Sequence, residues 1–202
     1  RSMFEEGKRL ASIYGAENVF DFSLGNPNVE PPKEVKDEIL KILSEEDPNL
    51  VHGYMSNSGY DDVREKIANY INKLYNLKLS FNNIVMTCGA AGGLNIILKT
   101  ILNPGDEVLT FSPFFGEYNN YVKNFDGVLV PVQSEEGTFQ PNLRLLEESI
   151  NEKTKALIIN SPNNPTGVIY TEESIKGIAK VLEKKQKELG ISIYLISDEP
   201  YR

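Results

Sequence analysis

Four short segments carry residues whose types and order could bind a small molecule and act on it. They are Thr87–Gly93, Phe111–Gly116, Asn160–Gly167 and Ser197–Arg202. Each lies at the end of a short apolar run that is predicted to be a β-strand. Ligand sites in parallel sheets form at the carboxyl ends of the strands. We therefore expect the four segments to line one binding site.

The first segment, Thr87–Gly93 (TCGAAGG), joins a predicted strand to a predicted helix. Its small side chains let a ligand approach the backbone, and the free N–H groups and dipole of a helix N-terminus favour a phosphate. A tight turn without a ligand explains the same residues equally well. The segment matches neither the dinucleotide motif nor the P-loop. The next predicted strand ends at Phe111-Ser112 without the acidic residue that a ribose requires, which disfavours a nicotinamide cofactor.

The other three segments add polar and aromatic groups at strand ends. In Asn160–Gly167 (NSPNNPTG), two prolines and a glycine restrict the backbone, while adjacent asparagines present amide groups. A surface turn is the alternative interpretation, but eight consecutive residues of this kind at a strand end favour a ligand site. Asp198 follows an apolar run and is either a helix cap or a charge directed at a ligand. Phe114 and Phe115 follow another run, and core packing accounts for one of them.

The composition limits the class of protein. The 202 residues include 21 Lys and Arg against 29 Asp and Glu, which gives a net charge of −8, and 40% of them are hydrophobic. These values are typical of a soluble globular protein, and an acidic chain without a basic run disfavours nucleic acid and anionic membranes as partners. No apolar stretch approaches the ~20 residues of a membrane span. Cys88 is the only cysteine, so we expect no disulfide framework, no cysteine metal cluster and a reducing, cytoplasmic location.

The elements that must position these segments alternate between strand and helix. Five apolar runs are predicted as buried strands: Ile84–Thr87, Glu107–Phe111, Val128–Val132, Ala156–Asn160 and Ile193–Ser197. Helical spacing of apolar residues lies between them, at about residues 90–101, 117–124, 143–150 and 171–190. The alternation predicts an α/β fold, a three-layer sandwich in which helices cover both faces of a mostly parallel sheet.

The N-terminal part of the chain lacks this alternation. Helices are predicted over Ser2–Tyr14, from Pro31-Pro32 to Leu43, and over Asp61–Tyr75. We expect residues 1–30 to form an arm that belongs partly to a second, smaller domain, and residues 31–202 to form part of one large domain. His52, the only histidine, is predicted to be a loop residue rather than a general base.

Taken together, the segments resemble one family. Gly89-Ala90-Ala91, Pro113-Phe114-Phe115, Asn160–Gly167 and Ser197–Arg202, in this order and spacing, are similar to the class I and II aminotransferases. These are pyridoxal-phosphate enzymes of the aspartate aminotransferase fold, known as fold type I. The segments Ser23–Pro27 and Tyr54–Arg64 resemble the N-terminal part of that family. The resemblance implies that this chain is the N-terminal portion of such an enzyme, with an incomplete large domain.

The resemblance also implies roles around the pyridine ring of the cofactor. Asp198 would face the ring nitrogen, raise its pKa and keep it protonated, so that the ring can accept electrons from the substrate. Tyr201 and Asn164 would hydrogen-bond the phenolic oxygen of the ring. Phe115 would stack on the ring face, and stacked aromatic pairs contribute ~0.5–1.5 kcal/mol beyond the burial of area. Asp198 and Tyr201 are thus the implied catalytic residues in this chain.

Further implied roles concern the phosphate, the substrate and the assembly. The amides of Gly89, Ala90 and Ala91 would hold the phosphate. Tyr54 would reach the phosphate of the neighbouring subunit, so a homodimer would be part of the site. Gly25 would lie near the substrate carboxylate. The implied reaction moves an amino group between an amino acid and a 2-oxo acid.

One departure from the family pattern is large. The lysine that forms the Schiff base with the cofactor follows the Asp-Tyr segment in the family, and this chain has no lysine in that position. The arginine that binds the substrate carboxylate is absent as well. We therefore expect a fragment, produced by trypsin-like cleavage after Arg202 or by a similar boundary. The fragment is expected to bind pyridoxal phosphate weakly and to show no transamination.

Other functions share the same sequence signals. A pyridoxal-phosphate-dependent C–S β-lyase would carry every motif named above, because the cofactor does the chemistry and the protein selects the bond. A non-catalytic module that senses pyridoxal phosphate or an amino acid is a second alternative, although the basic DNA-binding segment expected of such a regulator is missing from the sequence. A plain nucleotide-binding domain is the weakest candidate. The sequence does not predict which amino acid is the substrate.

Overall fold

The computed structural model of the protein describes residues 2–20, 25 and 29–201, with side chains in the first helix from Glu5 onward. The chain divides into two compact units, residues 1–56 and residues 57–202. This division does not test the functional domains expected from the sequence, an arm over residues 1–30 and part of a large domain over residues 31–202, which stay predictions. Four residues of the Ser23–Pro27 motif lie outside the described residues, as does Arg202.

The elements described in the first unit are helices. They are α1 (Ser2–Tyr14), α2 (Lys33–Glu45) and α3 (Pro48–Val51), with a 3-10 turn at Ala16–Asn18. The carboxylate of Asp47 caps α3 by accepting a hydrogen bond from the Asn49 N–H at 2.8 Å. α2 buries none of its residues, and its apolar side chains are exposed.

The second unit begins with α4 (Asp61–Tyr75) and the 3-10 turn Phe81–Asn83. The buried guanidinium of Arg64 connects these elements, because it donates to the carbonyl oxygens of Ile84 at 2.8 Å and Phe81 at 2.7 Å. It also pairs with Asp61 at 2.8 Å. Arg64 therefore anchors the segment that leads into the next helix.

The remainder of the second unit is the α/β fold that the sequence predicts. The strands are β1 (Glu107–Ser112), β2 (Val128–Gln133), β3 (Thr154–Asn160) and β4 (Tyr194–Asp198). The helices are α5 (Gly89–Ile101), α6 (Tyr118–Lys123), α7 (Leu143–Ser149) and α8 (Glu172–Leu189). The strands are all parallel in the order β2-β1-β3-β4. The carboxyl ends of all four strands therefore meet at one edge of the sheet.

Apolar residues on alternate sides of the strands form two cores. α7 and α8 pack on one face, where Leu109, Leu157 and Ile178 are fully buried. α5 and α6 pack on the other face, where Leu98, Val108 and Ile158 are fully buried. This arrangement is the three-layer sandwich, since successive residues of a strand point to opposite faces. It confirms the predicted fold class.

One predicted strand is wrong. Residues 84–87 are irregular in the structure and pair with no strand among the described residues. The segment is anchored by a hydrogen bond from the Met86 N–H to the Ser58 carbonyl at 2.9 Å, and the side chains of Val85 and Met86 are exposed. Apolar composition predicts that a segment is extended, but a strand also needs a neighbour for its backbone hydrogen bonds.

Among the described residues, no helix has both the length and the apolar character needed to cross a membrane.

Candidate active site

A cavity lies at the edge where the strands end, in the second unit. Its volume is about 250 Å³, slightly below the roughly 300–1,000 Å³ typical of small-molecule sites. It is lined by Ala90, Ala91, Leu94, Phe115, Tyr121, Asn160, Asn164, Asp198, Pro200 and Tyr201. Six of the predicted site residues are thus brought together: Ala90, Ala91, Phe115, Asn164, Asp198 and Tyr201. Their roles toward a cofactor stay predictions.

The N-terminus of α5 forms one wall of the cavity. Gly89 opens the helix with a φ of 69°, a left-handed conformation that favours glycine. Its N–H donates to the Thr87 carbonyl at 3.0 Å, so this amide is already engaged within the turn. Ala90 and Ala91 follow in the first helical turn, where N–H groups lack an intrahelical acceptor. The amides of Ala90 and Ala91 are therefore better placed to hold an anion than that of Gly89.

Asp198 supplies the negative charge of the cavity from the end of β4. Its Oδ2 atom accepts a hydrogen bond from the hydroxyl of Tyr118 at 2.6 Å. Its Oδ1 atom accepts no hydrogen bond from any described residue. Burial raises the pKa of the Tyr118 phenol, and the hydrogen bond to Asp198 raises it further. Tyr118 therefore remains a donor at neutral pH, and Asp198 keeps one oxygen for a second donor.

The aromatic wall comes from the loop before α6 and from the helix itself. The rings of Phe115 and Tyr118 meet edge to face, with centroids 5.7 Å apart and planes at 85°. Tyr121 also lines the cavity, and the pKa of its phenol is raised by partial burial and by the charges of Glu117 and Asp198. Neither tyrosine was predicted as a site residue from the sequence. Their spacing of three residues, which places them on one face of a helix, is the signal that could have found them.

The loop Asn160–Gly167 is held by its own side chains. The Oδ1 atom of the buried Asn163 accepts from the N–H of Thr166 at 3.2 Å and from its hydroxyl at 2.9 Å. The N–H of Gly167 donates to the Asn163 carbonyl at 2.7 Å. These bonds fix the backbone beside Asn164, which lines the cavity.

Two predicted site residues belong to the other unit. Gly25 and Tyr54 lie within residues 1–56, and both are exposed. Their predicted roles at the substrate carboxylate and at the phosphate of a neighbouring subunit stay predictions.

The chemistry of the cavity fits pyridoxal phosphate. The N-terminus of α5 suits a phosphate, and an acceptor oxygen of Asp198 suits a protonated ring nitrogen. The ring of Phe115 offers an aromatic surface, and Asn164 and Tyr201 are polar residues that line the same space. Among the described residues that line the cavity, there is no lysine. The donor set therefore suits noncovalent binding of this cofactor.

Comparison with known proteins identifies the family. The family model for aminotransferase class I and II matches residues 17–202. The chain is 34% identical to a probable aspartate aminotransferase of Methanocaldococcus jannaschii over 90% of its length. It is 32% identical over its full length to an aspartate aminotransferase of Pyrococcus horikoshii. A crystal structure of an amino transferase from Eubacterium rectale covers the whole chain at 42% identity, with a TM-score of 0.93.

The matches cover most of this chain but a smaller share of each relative's length. The chain covers 45% of the Methanocaldococcus protein, 48% of the Pyrococcus protein and 51% of the Eubacterium chain. It therefore spans about half the length of its relatives. The family model nevertheless matches most of this chain. The residues that line the cavity suit pyridoxal phosphate, which is the cofactor of the family. The chain belongs to the class I and II aminotransferases.

Proposed function

We propose that the chain forms about half of a pyridoxal-phosphate-dependent aminotransferase that moves an amino group between an amino acid and a 2-oxo acid. The observation that carries the proposal is the cavity in which Asp198, Phe115 and the N-terminus of α5 meet. The half-length match to aspartate aminotransferases supports it. A cytoplasmic homodimer with a role in amino acid biosynthesis is part of the same proposal.

The chain's own residues would bind and orient the cofactor. Ala90 and Ala91 would donate their amides to the phosphate, and Gly89 would give the turn its shape. Oδ1 of Asp198 would accept a hydrogen bond from the protonated ring nitrogen, while Oδ2 accepts one from the Tyr118 hydroxyl. When bound, pyridoxal phosphate supplies an electron sink that stabilises a carbanion next to the amino group.

The proposed substrate class follows from the relatives. Their names include aspartate aminotransferase, aspartate/prephenate aminotransferase and asparagine–oxo-acid transaminase. One solved structure is an aspartate aminotransferase from Thermus thermophilus with maleate, a dicarboxylate. We propose an acidic amino acid or its amide as the donor, with Gly25 near the substrate carboxylate.

Binding of pyridoxamine 5′-phosphate to the 202-residue chain tests the proposal. This amine form of the cofactor has no aldehyde, so it does not react with surface lysines. We expect weak, reversible binding by calorimetry, with the ring nitrogen protonated at pH 7.5 in a ¹⁵N NMR spectrum of labelled ligand. Asp198→Asn should leave the ring nitrogen unprotonated, because the variant removes the charge and keeps the shape. No binding to the wild-type chain, or a protonated ring nitrogen in the variant, would contradict the proposal.

Activity assays complete the test. We expect no measurable transamination by the 202-residue chain with pairs of amino and 2-oxo acids, because no described residue lining the cavity is a lysine. General-base catalysis is worth roughly 10²–10⁴-fold, and the covalent attachment is missing as well. Turnover comparable to that of ordinary enzymes would show that another lysine of this chain does the work and that the site is wrongly assigned.

A further inference from the structure

Asn160 connects the two parts of the cavity that would contact the cofactor ring. It is the last residue of β3, only 4% of its surface is exposed, and it pairs in the sheet with Asp198 of β4. Its side chain uses both ends of the amide. Oδ1 accepts from the N–H of Asn164 at 2.6 Å, and Nδ2 donates to the carbonyl of Asp198 at 2.8 Å.

We propose that Asn160 is a positioning residue that sets the spacing between Asn164 and Asp198. This inference rests on the proposed function, in which these two residues contact the phenolic oxygen and the nitrogen of one ring. The ring is rigid and must make both contacts at once. The spacing between the backbones of Asn164 and Asp198 therefore determines whether both contacts can form together. One buried amide fixes that spacing from both sides.

The chemistry of the two bonds requires an amide. One partner is a backbone N–H and the other is a backbone carbonyl, so the side chain must accept at one end and donate at the other. A carboxylate of the same shape could still accept from Asn164 but would place a negative oxygen against the Asp198 carbonyl. A serine is too short to contact both partners.

Asn72 provides a matched control in the same unit. Its side chain makes the same pair of bonds to a single backbone segment, since Nδ2 donates to the Leu79 carbonyl at 2.8 Å and Oδ1 accepts from the Leu79 N–H at 2.7 Å. Asn72 lies in α4 and does not line the cavity. The variant Asn72→Asp therefore disrupts a comparable clamp without touching the proposed ring contacts.

The experiment compares Asn160→Asp, Asn160→Ser and Asn72→Asp in the 202-residue chain. Pyridoxamine 5′-phosphate affinity is measured by calorimetry, and the free energy of unfolding by urea denaturation. We expect both Asn160 variants to bind about tenfold or more weakly, and Asn72→Asp to bind within about twofold of the wild type, as anticipated for independent sites. If the buried carboxylate prevents Asn160→Asp from folding, the affinity of Asn160→Ser still tests the proposal.

A double-mutant cycle separates positioning from general destabilisation. In the Asp198→Asn background, the Asn160→Ser effect on affinity should shrink to about threefold or less, because one of the two ring contacts is already weakened. An Asn160 effect no larger than that of Asn72→Asp, or one of full size in the Asp198→Asn background, would overturn the positioning role alone. Failure of the wild-type chain to bind the ligand would overturn the proposed function and this role with it.

Discussion

A tyrosine and an aspartate from distant parts of the chain share a short hydrogen bond at the carboxyl end of β4. The Tyr118 hydroxyl lies 2.6 Å from Oδ2 of Asp198, within the range of charge-assisted O–H···O bonds. Only 1% of the surface of Tyr118 is exposed, whereas Asp198 is half-buried. The bond therefore stabilises a carboxylate that has lost part of its water.

Removal of this hydroxyl should destabilise the fold. We expect Tyr118→Phe to lower the free energy of unfolding by roughly 1–3 kcal/mol, because hydrogen bonds to charged groups contribute about 1.5–3 kcal/mol. Urea denaturation at pH 7.5 measures the change. Tyr121→Phe is the control, since Tyr121 lines the same cavity and no hydrogen bond of its hydroxyl to a described residue is seen. Equal stability of the two variants would mean that the bond to Asp198 contributes nothing.

At the scale of the elements, the N-terminus of α5 has the simplest side chains of the site. The helix begins Gly-Ala-Ala-Gly-Gly, so its first turn brings backbone rather than side chains to the cavity. No acidic residue occupies this first turn, whereas α8 has Glu172 and Glu173 in the same place. A helix N-terminus attracts negative charge, and the first turn of α5 supplies none of its own.

An acidic residue in this turn should have opposite effects on folding and on binding. We expect Ala91→Asp to change the free energy of unfolding by roughly 0 to +1 kcal/mol, since the carboxylate complements the helix dipole. The same charge should lower the affinity for pyridoxamine 5′-phosphate at least tenfold, whereas Ala91→Asn should bind nearly as the wild type does. Calorimetry and urea denaturation give the two readouts. A fully retained affinity in Ala91→Asp would place the phosphate elsewhere.

Patterns along the chain predict secondary-structure elements well, but they predict contacts between distant residues poorly. The predicted bounds of α1 and α4 agree with the structure, because the helical spacing of apolar residues is a local signal. Ile84–Thr87 was predicted as a strand on apolar composition alone, which carries no information about a neighbouring strand. The contacts of Asn160 and Tyr118 with Asp198 were not predicted for a related reason. Their partner Asp198 is 38 and 80 residues away. The parallel register of β3 and β4 brings Asn160 to it, and the packing of α6 on the sheet brings Tyr118.

At the scale of the whole molecule, the core between the sheet and helices α7 and α8 is connected to the loop of the site. Tyr170 is buried against the edge of Phe111, with ring centroids 6.1 Å apart, in the core beneath α7 and α8. Its backbone N–H donates to the Ser161 hydroxyl at 2.9 Å. Burial raises the pKa of the Tyr170 phenol to about 12, although an interaction with Asn163 opposes the rise. The core therefore favours the neutral phenol.

This raised pKa predicts a loss of stability at high pH. A group whose pKa is higher in the folded state stabilises the fold fully below its unfolded pKa, near 10, and that contribution is lost as the pH rises toward about 12. We expect the free energy of unfolding to be flat from pH 8 to 9 and to fall from pH 10 to 12. One group contributes at most ~1.4 kcal/mol per pH unit.

Two phenylalanine variants test the assignment. Tyr170→Phe should reduce the slope above pH 10 without abolishing it, because Tyr118 also has a raised pKa. Tyr194→Phe, at an exposed position of β4, should leave the slope unchanged. Urea denaturation at each pH provides the comparison. An unaltered slope in Tyr170→Phe would assign the alkaline transition to other groups.

The order of the strands along the chain has a consequence for synthesis on the ribosome. β1 lies between β2 and β3, whereas β4 joins the sheet through β3. The first three strands can therefore assemble while the residues of β4 are still being added. The carboxylate at the end of β4 arrives after these three strands, and its bond to Tyr118 closes a separation of 80 residues. A ligand that depends on this carboxylate can stabilise the four-stranded sheet, but it binds too late to template the first three strands.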